Sequence, residues 1–592
     1  MYTIVVRCGQ VDTRIQVNAG ENLLEALQKS GVVVPAPCGG HGTCGKCRVQ
    51  VLSGQAGEVQ PEEEKRLGAE LEDGWRLACR VKCQDDLTIL VPQADVDARV
   101  LLDGGLGEVE LDPASRKVAV QVDLPTLQDQ RSDAQRVCEA VGAKKATLKA
   151  LTQVSAAVRN PACAMLFRDT LVACEEPESR NLGVAVDVGT TTMAAYLTDL
   201  DSGELLGRAS SLNPQRAYGG DVISRADHAA QSAENLQELK AKVNGAIEKM
   251  TLDMLRKAGL AKEHVRHIVT VGNTIMMHLL LGLDARYIAA TPFAPVYAEK
   301  MDIAAAELGM DLPNARVTAG PCVAGYVGAD TVAAILACDM DQSDDVSLMI
   351  DIGTNGEIAL GNRDKMLCCS AAAGPAFEGA HIHCGSGAAD GAIDSVVIEN
   401  GQVKITTLGG GEAKSICGSG LVDAVAEMKK AEIMDESGRM DEDEIPDEYA
   451  EYLFEFEGKP AFSLDGRGEN GVFITQKDLR EVQLAKSAIA AGIEVLLESM
   501  GITFGQVKHL YLAGGFGNYI RRESAVEIGL LPAALADRIE PVGNAAGSGA
   551  RRMLLSRIQE ERTAAIAKNM EYIELSARPD FQDKFVDNMM FE

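Results

Sequence analysis

The chain has 592 residues, 57 basic and 87 acidic side chains, a formal charge of -30, and 46% apolar residues. This length requires more than one core, the apolar share excludes a disordered chain, and the acidic balance argues against nucleic acid or anionic membranes as general partners. The chain opens directly on the strand-like run MYTIVVR and holds no stretch of 18 uncharged apolar residues, so neither a leader nor a membrane span is expected and a cytoplasmic location is. Fifteen cysteines are too sparse for a disulfide scaffold, and their clustering points to metal binding in a reducing compartment.

In chain order, Tyr2 to Val6 and Thr13 to Val17 read as a hairpin around Gly9, and Asn22 to Ser30 as a short helix. The segment VPAPCGGHGTCGKCRVQV then spaces Cys38, Cys44 and Cys47 as C-x5-C-x2-C, and Cys79 follows in GWRLACRVKC. Three thiolates on a glycine-rich loop plus one distant thiolate suit a [2Fe-2S] cluster, with loop amides free to hydrogen-bond the sulfurs. Zinc is the competing reading, yet zinc ribbons usually present two C-x2-C knuckles and this segment has one. Cys83, four residues beyond Cys79, is a rival ligand that reads better as a small apolar core residue. These first ninety-odd residues resemble plant-type and vertebrate-type ferredoxins, with RLAC matching the segment that carries the fourth ligand.

Val91 to Leu111, with proline, paired glycines and alternating acids, reads as a connector that leaves the front domain some freedom. Beyond it, Lys117 to Val122 reads as a strand, while Asp133 to Ala140, Leu148 to Val158 and Ala164 to Val172 carry helical patterning, with Pro161 between the last two. Nothing in that small α/β region proposes chemistry.

The large remainder is organised around two similar stretches. Leu182 to Leu197, LGVAVDVGTTTMAAYL, and Leu348 to Leu360, LMIDIGTNGEIAL, each run strand, Asp-x-Gly-Thr turn, strand. Small residues at such a turn let backbone amides approach a phosphate, and two copies predict two facing halves with a phosphate chain between them. They resemble the two phosphate loops of the actin, Hsp70 and sugar-kinase superfamily. LAGGFG, Leu512 to Gly517, is similar to its adenosine loop, preceded by an amphipathic helix over Thr475 to Leu497. Ile416 to Asp423 and Val542 to Ala550 resemble its hinge segments.

Several other stretches invite a chemical reading. Asn213 to Arg225 stands out without a defined role, and Gly272-Asn273-Thr274, at the end of an apolar strand, is placed for polar contacts in the cleft. His278 reads as a satisfied core histidine. Ala371 to Gly391 gathers Glu378, His381, His383 and Cys384 in a small-residue run; a surface loop near nucleotide or partner outweighs a metal site. Cys368 and Cys369 are expected to pack in a strand. Asp435 to Glu457 reads as a solvated acidic insertion, and Phe581, Phe585 and Phe591 as anchors docking on the domain or on a second subunit.

The order of parts, with CGGHGTCGKC, RLAC, DVGTTT, VGNTIMMHLLLG, DIGTNGE, LAGGFG and RPDFQDKF, resembles the reductive activators of corrinoid proteins across essentially the whole chain. The resemblance implies a multidomain α+β and α/β protein: a β-grasp ferredoxin-like domain (1–93), a linker (94–112), a small α/β middle domain (113–180) and a two-lobed actin-like ATPase domain (181–592). It implies reduction of an inactive Co(II) corrinoid protein to Co(I) with ATP hydrolysis, through a [2Fe-2S] cluster on Cys38, Cys44, Cys47 and Cys79. Asp187 and Asp351 would organise Mg2+ and its waters. Gly189, Thr190, Thr191, Thr192, Gly353, Thr354, Asn355 and Gly356 would grip the phosphates, and Gly514 and Gly515 would line the adenosine site. The implied partners are a corrinoid protein, a low-potential donor such as a ferredoxin or flavoprotein, and a second copy of the chain. The competing readings are an ATP-dependent iron-sulfur activator of another low-potential enzyme, of the dehydratase or reductase type, and an ATP-sensing redox docking module.

Overall fold

The computed structural model describes residues 1–8, 11–30, 32, 34, 40, 42, 45–92, 107, 109–517 and 519–591. Cys38, Cys44, Gly9 and most of the 94–112 connector lie outside the described residues.

Residues 2–90 form a five-stranded mixed sheet in the order Val11–Val17, Tyr2–Cys8, Leu87–Leu90, Arg48–Ser53, Trp75–Leu77. Tyr2–Cys8 pairs antiparallel with Val11–Val17 and parallel with Leu87–Leu90, so the first and last strands lie side by side at the centre. The helix Leu23–Lys29, capped by the Asn22 side chain, buries Leu23, Leu24 and Leu27 against Ile4, Val6, Val49 and Ile89. Apolar residues alternate on the strands and recur on one face of the helix, which is what lets a short chain close one core.

A second sheet, Ser115–Ala119, Cys163–Phe167, Thr170–Glu175 and Lys145–Ala146, is covered by the helices Asp133–Val141 and Leu148–Arg159. Ala164 to Val172, expected to be helical, is instead a strand hairpin. Its apolar spacing also fits a helix, but Arg168 turns at φ +54° and Phe167 pairs with Thr170, so the chain reverses there. The end of the connector is pinned: Arg557 forks onto both Asp112 carboxylate oxygens at 2.8 and 3.0 Å, so the expected freedom does not extend to residue 112.

The rest of the chain holds two six-stranded sheets with matching topology. In the first, Leu205–Leu212, Thr192–Asp199 and Leu182–Val188 form an antiparallel meander, followed by Val265–Val271 and Arg316–Ala319 in parallel. In the second, Met366–Ala371, Gly356–Gly361 and Val346–Ile352 form the meander, followed by Val507–Ala513 and Ile539–Gly543. The helices Ala329–Ala337 and Ala545–Leu555 cross between the two sheets, within a core that draws on both. At that crossing a Cβ on Gly549 would lie 1.9 Å from the Ala333 carbonyl oxygen, so only glycine permits the approach.

The expected long helix runs Gln476–Met500, started by a reciprocal cap in which the Asp478 N–H donates to Thr475 Oγ1 and the Thr475 N–H donates to Asp478. Cys368 and Cys369 are buried in their strand as expected. His278 is a satisfied core histidine, Nδ1 bonding the Thr274 carbonyl at 2.7 Å while Nε2 accepts from the Val296 N–H. The acidic stretch departs partly from its expected solvated character, because Leu453–Phe456 is a strand and Phe456 packs on Phe473. The tail docks on its own domain: Phe591 is fully buried, and Gln483 donates to the Met589 carbonyl.

Candidate functional site

At the front end, Cys47 and Cys79 are buried, with their sulfurs 3.3 Å apart. Two backbone ties set that approach: Ala78 N–H donates to the Cys47 carbonyl, and Asn22 Nδ2 donates to the Cys79 carbonyl. The segment before Cys79 is clamped by the buried pair Arg76–Glu63, joined by two bonds of 2.9 Å, and Glu63 also accepts from the Leu77 N–H. Burial alone would raise the Glu63 carboxyl, but Arg76 together with the Gln60 and Leu77 backbone amides outweighs it and leaves the group below its ordinary value. Cys83 is fully buried and its thiol is pushed up to about 11 by burial, which fits the core role expected of it. Two buried cysteine sulfurs brought this close at the ends of neighbouring strands fit an iron-sulfur cluster, which would supply one-electron transfer.

The cleft is built twice from the same parts. Asp187 sits at the end of Leu182–Val188 beside Val271 on the parallel neighbour, and Asp351 at the end of its strand beside Ala513. Each neighbour then runs through glycine into a helix, at Gly272-Asn273 and at Gly514. Gly514, at φ +84°, passes so close that a Cβ there would meet Asp351 Oδ1 at 2.3 Å. Gly515 faces open space, and the neighbouring Phe516 stacks on Phe377 with centroids 5.1 Å apart.

The first turn is held from behind. Asn213 Nδ2 donates to the Gly189 carbonyl at 2.8 Å, Arg225 Nη2 to the Thr190 carbonyl at 2.7 Å, and Asn273 Nδ2 to Thr190 Oγ1 at 3.0 Å. Asn544, which caps the Ala545–Leu555 helix, donates to Asp187 Oδ2 at 3.1 Å and so ties a predicted hinge segment to the first acid. These contacts explain the conspicuous Asn213 to Arg225 run, whose role the sequence left open.

The electrostatics are one-sided. Asp187 and Asp351 are both pushed up to about 7, first by lost hydration and then by other carboxylates, Asp330 foremost. Asp330 is itself raised to about 6 by burial, and Glu357 is raised by burial, Asp330 and Asp351. Such a set fits a divalent cation, which would replace proton uptake as the means of relieving crowded charge. Among the described residues no three of His, Cys, Asp or Glu converge tightly enough to hold an ion by themselves.

The polar contact expected of Gly272-Asn273-Thr274 is made by Asn273, whereas sequence reasoning did not select Asp330, Glu357, Glu378 or Asn544 as site residues. Glu357 stood in the quoted hairpin and Glu378 in the Ala371 to Gly391 run, but only the fold brings them to the acids. The first part of that run is packed, with Phe377 and Ile382 buried and Glu378 accepting hydrogen bonds from threonines of both turns, while His381, Gly387 and Asp390 are exposed as expected of a surface loop.

A ferredoxin sheet joined to a duplicated two-lobed cleft defines an iron-sulfur protein of the actin-like nucleotide-binding class. Residues 6–84 match the 2Fe-2S iron-sulfur cluster binding domain, 105–164 the RACo linker region, 182–343 the RACo middle region and 345–592 the C-terminal domain of RACo, the ASKHA domain. The corrinoid activation enzyme RamQ of Eubacterium limosum is 30% identical over 599 residues, 98% of this chain and 98% of its own length. The Co(II) methylated amine-specific corrinoid protein reductase of Methanosarcina barkeri is 26% identical over 430 residues, 66% of this chain and 72% of its own. A solved reductive activator for corrinoid, iron-sulfur protein aligns with a TM-score of 0.74 at 33% identity, covering 100% of this chain and 98% of that one. The chain belongs to the family of reductive activators of corrinoid proteins. No helix among the described residues is long and apolar enough to cross a membrane.

Proposed function

We propose that this protein activates a corrinoid protein by reducing Co(II) to Co(I), passing one electron through a [2Fe-2S] cluster at the expense of ATP. Cys38, Cys44, Cys47 and Cys79 would hold the cluster. Asp187 and Asp351 would organise Mg2+, with Gly189 to Thr192 and Gly353 to Gly356 on the phosphates and Gly514 and Gly515 along the adenosine. The working units would be 1–93, 94–112, 113–180 and 181–592, paired as a homodimer and fed by a low-potential ferredoxin or flavoprotein. The reading is supported by the relatives, a corrinoid activation enzyme, a corrinoid protein reductase and a reductive activator for corrinoid, iron-sulfur protein.

One observation supports the coupling: the cluster domain touches the first lobe and places charge close to the second. Gln28 donates to the Ala217 carbonyl of the first lobe. On the second, His383 is held below its usual value by burial and then by charges that include Lys46 and Arg48 of the cluster domain. A nucleotide that moves one lobe against the other therefore changes the seat of the cluster. The demand is energetic: driving one electron 100 mV uphill costs about 2.3 kcal/mol, taking 59 mV per tenfold. The test mixes the purified chain, a low-potential reductant and a Co(II) corrinoid protein with and without ATP and follows the cobalt spectrum. Conversion to Co(I) only with ATP is expected, and equal rates without nucleotide would end the reading.

A further inference from the structure

Glu378 occupies the seam between the lobes. It ends the single turn Ala376–Glu378, which Phe377 anchors by burial and by stacking on Phe516. Gly379 follows at φ +76°, where a Cβ would strike the Ser386 carbonyl oxygen at 2.3 Å, so a packed turn fixes the carboxylate in place. Thr191 Oγ1 donates to Glu378 Oε2 at 2.8 Å and Thr354 Oγ1 donates to Oε1 at 3.0 Å, one hydroxyl from each phosphate turn. Arg216 stands nearby, half-buried; burial holds its guanidinium below the usual value, and Glu378 is the charge acting against that.

The two hydroxyls that Glu378 receives are the ones a terminal phosphate between the turns would take. A bare carboxylate cannot share them with that phosphate, because two anions would meet in a poorly hydrated site. A water between the two satisfies both: one hydrogen points to the carboxylate, and the oxygen lone pair points to phosphorus. We propose that Glu378 is a catalytic residue of the nucleotide site, orienting the water that attacks the terminal phosphorus and taking its proton. The water oxygen bonds to phosphorus, the bond from phosphorus to the bridging oxygen breaks with its electron pair leaving on the nucleoside diphosphate, and the water proton passes to Glu378. Arg216 is placed to balance charge on the phosphoryl oxygens. This rests on the ATPase reading above and assigns to it a residue and a role.

The test is Glu378→Gln in the full chain with its cluster, since glutamine keeps the size and an acceptor but cannot take the proton. Phosphate release should fall by ~100-fold or more, while ATP affinity measured by calorimetry stays within about threefold or tightens. Turnover within about fivefold of the unaltered chain overturns the proposal, as does parallel loss of ATP binding, which would make Glu378 a binding residue only. Glu378→Asp, which retains a shortened base, should fall between the two; if it is no faster than the glutamine variant, proton acceptance is not the role. Absence of turnover in the unaltered chain overturns the ATPase reading itself, an outcome distinct from unimpaired turnover in the glutamine variant.

Discussion

Replacing Asp351 by asparagine removes one charge from the acid cluster without changing its shape. The carboxyl is pushed up to about 7 by lost hydration and then by Asp330 and Glu378, against an ordinary value near 4, so the folded chain holds a proton that the unfolded chain gives up. Stability therefore falls as pH rises through the window from about 4 to about 7 and stays low above it. Three units at about 1.36 kcal/mol each bound the cost near ~4 kcal/mol; with partial solvent access and proton sharing among the acids, about 1–3 kcal/mol is the working figure. The variant should accordingly melt higher than the parent at pH 8, by little at pH 5, and should lose the added stabilisation that Mg2+ and ATP give the parent. Corrinoid activation should fall by ~100-fold or more if Asp351 organises the cation as proposed, while the visible spectrum of the cluster is unchanged. Scanning calorimetry at the two pH values, with and without nucleotide, reads this directly. An equal gain at both pH values, or no gain at pH 8, would refute the crowded-carboxylate account.

Cys79→Ala should abolish the visible absorbance of the cluster while Cys83→Ala retains it, since Cys79 faces Cys47 across 3.3 Å and Cys83 lies in the core; iron and sulfide analysis checks both. Glu63→Ala leaves Arg76 buried without its partner and should cost the cluster domain about 3–5 kcal/mol, seen as an earlier low-temperature transition and faster cluster loss. Because the Glu63 carboxyl is depressed, its contribution is present above about pH 4.3 and is lost as pH falls further, so the parent and Glu63→Gln should converge in stability under acid conditions. Gly514→Ala places a methyl against Asp351 at a backbone angle of φ +84°, and ATP affinity measured by calorimetry should weaken by ~10-fold or more with the cluster spectrum unaltered.

Local pattern was enough to find the parts whose chemistry is carried by adjacent residues. The Cys-rich loop, the two Asp-x-Gly-Thr turns and the long helix before LAGGFG are written in runs of a few residues, where spacing fixes geometry over one or two turns of backbone. It failed where two structures share one apolar spacing: Ala164 to Val172 satisfies a helix and a hairpin equally, and the turn at Arg168 is set by pairing with Ser115–Ala119, about fifty residues earlier in the chain. Contact across the lobes was beyond reach for the same reason. Glu378 lies 187 residues from Thr191 and Asn544 lies 357 from Asp187. Only packing of the two sheets around the Ala329–Ala337 and Ala545–Leu555 helices brings those side chains within hydrogen-bond distance. The sequence by itself determined which chemical groups the protein possesses. The tertiary structure decided which of them share a solvent-poor cleft, and there burial and the proximity of like charge, which no local spacing encodes, set their protonation.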